Sequence, residues 1–175
     1  MISDKIDLLI REVPNFPKPG INFKDITNLL LHPDLTSEIV DAFIEKLRGI
    51  QVDAIVGVES RGFLFGFLLA NRMRIPFIPI RKAGKLPGET ISYSYKLEYG
   101  SAEVEVHKSD IRKGWSVVVH DDLLATGGTA CATSELIEKL GAKVTAFTFI
   151  ISLDSLNGQD RLEKYSKEVI SLKRY

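Results

Sequence analysis

Two segments of the chain each run from a short apolar stretch through a helical pattern to a second apolar stretch. The first consists of AIVGVE, RGFLFGFLLANRM and PFIPIR, and the second of WSVVVHD, TACATSELIEKLGA and KVTAFTFIISL. Short apolar stretches without polar alternation are typical of strands buried on both faces. Two strand–helix–strand units therefore predict an α/β fold with a mostly parallel central sheet flanked by helices.

The segments outside these units predict helices and loops. An N-terminal helix is predicted from the spacing of Ile6, Leu9, Ile10 and Val13, ending at Pro14. The stretch NFPKPGINFKDITNLL contains two prolines and a glycine and is predicted as a loop, and a second helix is predicted to end at Gly49. Between the two units, residues 81–108 show strand alternation around a long excursion, which is typical of a mobile, functional loop.

Composition limits the compartment and the partners. The chain has 175 residues, 45% of them apolar, which suits one domain with a sizeable core. Basic and acidic residues number 23 each, so no excess charge favours nucleic acid. Cys131 is the one cysteine in the sequence, the N-terminus lacks signal-peptide features, and runs such as FLFGFLLA are too short to span a bilayer. We expect a cytoplasmic protein without nucleic-acid or membrane partners.

The stretch VVVHDDLLATGGTA places two acids and a glycine turn after a predicted strand. In parallel sheets, ligands bind where strand carboxyl ends meet helix N-termini. Gly127 and Gly128 allow close approach of an anion to backbone N–H groups, which predicts a phosphate site, although a turn that only connects strand to helix stays an alternative. Asp121 and Asp122 would repel a phosphate unless they face a metal or a diol, and ribose 5-phosphate offers both a phosphate and a diol. Neither a Walker A nor a G-x-G-x-x-G motif occurs.

This stretch resembles the phosphoribosyl-diphosphate signature of type I phosphoribosyltransferases. ESRGF, IRKAGKLPG, SYKLEYG and FPKPGINFKDIT are each similar to segments of the adenine-specific branch of that family. The resemblance covers nearly the whole chain and implies the type I phosphoribosyltransferase fold as a single domain over residues 1–175. It also implies a base-binding hood at residues 1–35 and a mobile lid loop at residues 82–100. The implied activity is purine salvage, in which adenine and phosphoribosyl diphosphate give AMP and diphosphate.

The resemblance also implies roles for individual residues. The ribose hydroxyls would contact Asp121 and Asp122, and the 5-phosphate would contact Ala125, Thr126, Gly127, Gly128 and Thr129. The diphosphate would contact Glu59, Ser60, Arg61, Arg81, Lys82 and Lys85. Adenine would contact Phe23 by stacking, Leu123 on its other face, and Asn22 and Lys24 mainly through backbone groups. The family keeps a non-proline cis peptide in the loop that Glu59, Ser60 and Arg61 match.

Two residues would act in catalysis, according to the same resemblance. Glu98 matches the general acid/base near the purine, and Arg61 would touch the departing diphosphate. Mg²⁺ would arrive with the diphosphate, without a dedicated metal site in the protein. In such enzymes the arginine equivalent to Arg81 serves the neighbouring subunit, so a homodimer is implied. From the residues alone, Glu98 is an acid in a loop, Phe23 could be a core residue, and residues 81–85 could be a solvated charge cluster.

Three questions stay open at this level. Another base, a 6-oxopurine or orotate, would use the same signature. A ligand-sensing regulator could keep the fold without catalysis, but the chain lacks a basic recognition helix. His120 departs from the family, which usually has Val or Ile there; it is either a core substitution or a titratable neighbour of Asp121.

Overall fold

The computed structural model describes residues 1–96 and 101–175. In these ranges the strands are β1 (Arg11–Pro14), β2 (Asn22–Asp25), β3 (Ala54–Val58), β4 (Phe77–Lys82), β5 (Thr90–Lys96), β6 (Ser101–His107), β7 (Ser116–Leu124), β8 (Lys143–Ser152) and β9 (Val169–Arg174). The α-helices are α1 (Ile2–Leu9), α2 (Pro33–Lys46), α3 (Gly62–Met73), α4 (Gly128–Lys139) and α5 (Gly158–Leu162). Short 3₁₀ turns cover Thr27–Leu31 and Asp154–Leu156.

Seven strands form one central sheet, in the order β5-β6-β4-β3-β7-β8-β9. Strands β4, β3, β7, β8 and β9 are parallel to one another, and the β5–β6 hairpin extends the β4 edge in antiparallel pairing. All residues of β3 are buried, as expected for a strand covered on both faces. The predicted sheet, mostly parallel and flanked by helices, is confirmed.

Helices pack on both faces of this sheet and define two apolar clusters. Phe43 of α2 and Phe65 of α3 are buried on one face with Val118 of β7. Leu136 of α4 is buried on the other face with Val119. In the described ranges, no helix has the length and apolar character that a membrane crossing requires.

The start of α3 lies very close to β7. A Cβ atom on Gly62 would lie 2.8 Å from the carbonyl oxygen of His120, so only glycine allows this approach without a shift. Arg61, the residue before α3, is thereby held at the carboxyl end of β7. The packing of one glycine thus positions a charged side chain beside the two acids.

The N-terminal region differs from its predicted pattern. The predicted helix is wrong beyond Leu9, because Val13 lies in β1 and pairs with Phe23 of β2. The predicted loop likewise contains β2 and a 3₁₀ turn, so its irregular part is confined to the Pro- and Gly-containing residues 15–21. Pairing between distant segments overrides local periodicity here.

The C-terminal segment adds elements without a strong sequence pattern. Strand β9 is mostly half-buried and closes the sheet beside β8, while α5 packs next to α4 through buried Leu162. The alternation between residues 81 and 108 is confirmed as the β5–β6 hairpin over Thr90–Lys96 and Ser101–His107.

Candidate active site

The carboxyl ends of β3 and β7 and the N-terminus of α3 enclose a polar cavity of about 260 Å³. Its lining consists of Glu59, Ser60, Arg61, Lys82, Asp121 and Asp122. A smaller cavity of about 110 Å³ shares Asp121 and is otherwise formed largely by the turn after β7. The structure therefore brings together six of the residues predicted for diphosphate and ribose, next to the predicted phosphate turn.

The two acids at the end of β7 have different partners. Asp122 is buried, and its Oδ2 accepts a hydrogen bond from Nε of Arg61 at 2.5 Å. Asp121 is half-buried, and its Oδ1 accepts the backbone N–H of Asp122 at 2.9 Å. Burial first, and then the adjacent charge of Asp122, raise the pKa of Asp121 well above its usual value. The carboxylate of Asp122 is thus paired with a cation, whereas ionisation of Asp121 costs free energy when no ligand is bound.

The turn between β7 and α4 has the geometry of an anion site. Gly127 precedes α4 with φ of 75°, a left-handed conformation that suits glycine. In the described ranges, the N–H groups of Gly127, Gly128 and Thr129 have no backbone acceptor. Unsatisfied N–H groups at a helix N-terminus bind anions readily.

The α5 region supports this turn from behind. Nη1 of Arg161 donates a hydrogen bond to the carbonyl oxygen of Thr126 at 2.9 Å, and a Cβ on Gly127 would lie 3.0 Å from the carbonyl oxygen of Gly158. Because the peptide group is planar, a Thr126 carbonyl directed to Arg161 turns the N–H of Gly127 the opposite way. Sequence reasoning missed Arg161, since a single arginine in a polar C-terminal segment carries no pattern.

The loop after β3 is tied to the end of β4. The Glu59–Ser60 peptide is cis, as the family resemblance implied. The carboxylate of Glu59 accepts two hydrogen bonds from Arg81 at 3.3 Å and one from the backbone N–H of Lys82 at 2.8 Å. Burial opposes the charge of Glu59, but these bonds outweigh it and lower the pKa of Glu59. Glu59 therefore connects the loop after β3 to residues 81–85, the cationic segment that contains Arg81, Lys82 and Lys85.

The backbone of the cationic segment is also bound by Glu105, which sequence reasoning missed. This buried carboxylate accepts the backbone N–H groups of Lys85 and Leu86, both at 2.8 Å. Burial would raise the pKa of Glu105, but the N–H donors, including that of Gly84, lower it. The alternation of the strand could have placed Glu105 on an inner face, but its partners are fixed by the loop conformation.

Strand β2 brings Phe23 next to Arg61 of the polar cavity. Its ring is half-buried, with Cζ of Arg61 5.3 Å from its centroid and Phe16 in an edge contact at 5.3 Å. The side chains of Asn22 and Lys24 both bond Glu12, and the Lys24 ammonium lies 4.1 Å from the centroid of Tyr175. With both side chains engaged in this way, the contact of these two residues with a base through backbone groups stays a prediction.

Four further residues from the sequence analysis are Leu123, Lys85, Glu98 and His120. Leu123 is half-buried and lines the smaller cavity, whereas Lys85 is exposed on its loop. Glu98 lies outside the described residues. His120 is fully buried, with Nδ1 3.0 Å from Oγ1 of Thr148 and its ring in an edge contact with Phe43. Burial lowers the pKa of His120 to about 3, so it is a neutral core residue.

Comparisons with known proteins agree with this geometry. Residues 25–174 match the model of the phosphoribosyl transferase domain. The adenine phosphoribosyltransferase of Koribacter versatilis is 48% identical over 98% of this chain and 93% of its own. Among solved structures, that of Thermoanaerobacter pseudethanolicus has a TM-score of 0.95 at 44% identity, with both chains covered in full. The Saccharomyces cerevisiae enzyme, solved with an imino-altritol bisphosphate and adenine, has a TM-score of 0.90 at 40% identity, with 98% of each chain covered. The chain therefore belongs to the adenine phosphoribosyltransferases, a branch of the phosphoribosyl transferase family.

Proposed function

We propose that this protein transfers the phosphoribosyl group of phosphoribosyl diphosphate to adenine, giving AMP and diphosphate in purine salvage. The observation that carries the proposal is the polar cavity in which Asp121, Asp122, Arg61 and Lys82 meet beside the anion-binding turn. Each chemical part of the sugar substrate would have a complementary group there. The adenine complex of the yeast relative supports the choice of base.

The phosphorylated sugar would be held at two points. The free N–H groups of residues 127–129 would receive the 5-phosphate, and Asp121 and Asp122 would accept hydrogen bonds from the two ribose hydroxyls. A hydroxyl bound to Asp121 would also offset the cost of its charge. These contacts would leave the anomeric carbon facing residues 59–61, the loop proposed to bind diphosphate.

The reaction breaks the bond between the anomeric carbon and a diphosphate oxygen and forms a bond from that carbon to N9 of adenine. Positive charge develops on the sugar as the diphosphate departs, and the two carboxylates lie where they would stabilise it. Arg61 and Lys82 would take up the growing negative charge of the leaving group. Arg81 and Lys85 extend the same cationic surface on the adjoining loop.

As N9 of adenine attacks the anomeric carbon, a general base must remove the proton from N9. We assign this role to Glu98, on the family resemblance alone. A carboxylate kept away from water would be suited to accept that proton. Phe23 would stack on the purine, a contact worth about 1–3 kcal/mol.

Magnesium would enter this site with the diphosphate. In the described part of the chain, no three His, Cys, Asp or Glu side chains form a group suited to a metal ion. The carboxylates of Glu59 and Asp122 are already bonded to Arg81 and Arg61. Asp121 and Asp122 would therefore help to hold the diphosphate-bound ion, and Mg²⁺ commonly keeps several of its waters. When bound, the ion neutralises part of the diphosphate charge.

We also propose that the protein is a homodimer, with the outer face of α3 as part of the interface. Leu64, Phe67 and Leu68 are 38%, 55% and 38% exposed, and Phe67 adjoins Phe77 at 5.9 Å. Neighbouring exposed apolar side chains often mark an association surface. For Arg81 to serve the other subunit, it would have to leave Glu59 of its own chain.

Sedimentation of the wild type and of Phe67→Glu tests the dimer. We expect the wild type to sediment as a dimer and Phe67→Glu as a monomer, while Leu31→Glu, at an exposed leucine of the 3₁₀ turn, stays dimeric. A monomeric wild type would contradict the proposal.

The activity is tested by assaying the purified protein with phosphoribosyl diphosphate, Mg²⁺ and either adenine, hypoxanthine, guanine, xanthine or orotate. We expect AMP from adenine and little product from the other bases. Glu98→Gln and Asp122→Ala should lose most of the activity while remaining folded by circular dichroism. Absence of AMP, or full activity in both variants, would overturn the assignment. The single cysteine, Cys131, suits the reducing cytoplasm in which we expect this reaction to occur.

A further inference from the structure

The β5–β6 hairpin is joined to the phosphate turn by one hydrogen bond. The hydroxyl of Tyr95, on β5, lies 2.9 Å from Oγ1 of Thr129, in the first turn of α4. Both side chains line a cavity of about 370 Å³ that also reaches Glu59 and Lys82 of the diphosphate region. The pair therefore borders the space between the two anion sites.

Tyr95 is held at this position by contacts other than its hydroxyl. A Cβ on Gly128 would lie 3.7 Å from the Tyr95 ring, so the ring packs against the start of α4. Two residues earlier on the same face of β5, the ring of Tyr93 lies 4.7 Å from the ammonium of Lys139 at the other end of that helix. Both tyrosines also pack against the apolar cluster on this side of the sheet. Removal of the Tyr95 hydroxyl alone should therefore leave the strand in place.

A threonine hydroxyl has one hydrogen to donate and two lone pairs, and it rotates to suit its surroundings. When the phenol of Tyr95 donates to Oγ1 of Thr129, the threonine hydrogen is left to point elsewhere. A phosphate bound at the N–H groups of residues 127–129 would be an acceptor for that hydrogen. With Tyr95 as the donor, the threonine hydroxyl is ordered before the ligand arrives, which lowers the entropic cost of binding.

We propose that Tyr95 is a positioning residue for the sugar phosphate: it directs the hydroxyl of Thr129 to the 5-phosphate and does not touch the substrate. The proposal deepens the transferase function and rests on it for the identity of the ligand. Because Tyr95 belongs to β5, phosphate binding and the placement of the hairpin are coupled, and each must favour the other to the same extent.

The test compares Tyr95→Phe with Tyr93→Phe, which removes a hydroxyl from the same face of the same strand. For Tyr95→Phe, we expect KM for phosphoribosyl diphosphate to rise about three- to tenfold, the loss expected for one hydrogen bond. KM for adenine and the melting temperature should stay unchanged, and Tyr93→Phe should match the wild type in all three quantities. A merely structural role would lower the melting temperature and change both KM values together.

A double-mutant cycle with Thr129→Val examines the pair itself. If Tyr95 acts through Thr129, Tyr95→Phe should have no further effect on KM in the Thr129→Val background. Additive effects would overturn the proposal, as would a Tyr95→Phe variant with the wild-type KM.

Calorimetric titration with ribose 5-phosphate separates this inference from the proposed activity, since it needs no turnover. We expect its dissociation constant to rise in Tyr95→Phe by the same factor as KM. A wild type that binds ribose 5-phosphate but makes no AMP would refute the activity and leave the role of Tyr95 to be decided by this titration. Equal affinities in the wild type and in Tyr95→Phe would refute the role of Tyr95.

Discussion

Arg61 and Asp122 form an ion pair at the centre of the polar cavity, with Nε of the arginine 2.5 Å from Oδ2 of the acid. Asp122 lies near the carboxyl end of a buried strand, whereas Arg61 precedes the helix packed on that strand. The same guanidinium lies 5.3 Å from the centroid of Phe23. One arginine therefore connects the regions proposed for ribose, diphosphate and base.

Removal of Arg61 should destabilise the protein as well as inactivate it. Arg61→Ala leaves the carboxylate of Asp122 buried without its cation. Breaking a buried pair costs about 3–5 kcal/mol, and we expect about 2 kcal/mol because the Arg61 side chain is 40% exposed. Urea unfolding measures this change in the free energy of unfolding.

The matched control is Asp122→Asn in the Arg61→Ala background. It removes the uncompensated charge, so stability should recover while activity does not. If the two substitutions destabilise additively, Arg61 and Asp122 do not stabilise the fold as a pair.

Replacement of Asp121 should raise the stability of the protein and lower its activity. Its pKa is raised in the folded protein, so its charge costs free energy as the pH rises above the unfolded value of 3.8. Asp121→Asn keeps an oxygen for the N–H of Asp122 and removes that charge. We expect a higher melting temperature at about pH 7, a smaller difference near pH 3.8, and much weaker binding of phosphoribosyl diphosphate. A lower melting temperature at neutral pH would contradict this.

His120 should make the protein sensitive to acid. Its pKa is about 3 in the folded protein and 6.5 in the reference state, so the unfolded chain binds a proton first as the pH falls. Stability is therefore lost between those two values, by about 2 kcal/mol at about pH 5. His120→Val should lose less stability over this range, as followed by urea unfolding at a series of pH values.

The pH profile of activity in His120→Val should match that of the wild type, because the imidazole is neutral throughout the working range and faces Phe43. A shifted profile would revive the interpretation of His120 as a titrating neighbour of Asp121.

Glu105→Gln should loosen the cationic segment. The N–H groups of Lys85 and Leu86 both bond Oε1 of Glu105, and a glutamine oxygen there is a neutral and therefore weaker acceptor than a carboxylate, at a cost of about 1–2 kcal/mol. We expect faster hydrogen exchange at residues 84–90 and a higher KM for phosphoribosyl diphosphate. Glu103→Gln, on the same strand but exposed and bonded to Ser92, is the control and should leave both unchanged.

The stability supplied by Glu105 also has a defined pH dependence. Its pKa is lowered below 4.5, so this contribution is complete above that pH and is lost as the pH falls through the folded-state value. Protection of residues 84–90 that persists at a pH well below 4.5 would contradict the assignment.

Much of the fold could be predicted because the central strands consist largely of apolar residues, which indicates burial on both faces. Residues 54–58 and 116–120 are apolar or buried along their length, so the parallel sheet could be read from them directly. Strands β1, β2 and β9 could not be predicted in this way, since they are short and partly exposed. Their pairing with distant partners gives them their conformation.

The candidate site also contains features that the sequence predicts and features that depend on long-range packing. The sequence by itself determined the acids, the glycine turn and the cations, because each occurs in a continuous motif whose chemistry can be recognised. Only the tertiary structure decided which groups meet: Arg61 with Asp122, Glu105 beneath Lys85, Arg161 behind Thr126, and Tyr95 on Thr129. These contacts join residues far apart in the chain, and their geometry depends on the packing of helices against the sheet, which no local pattern records.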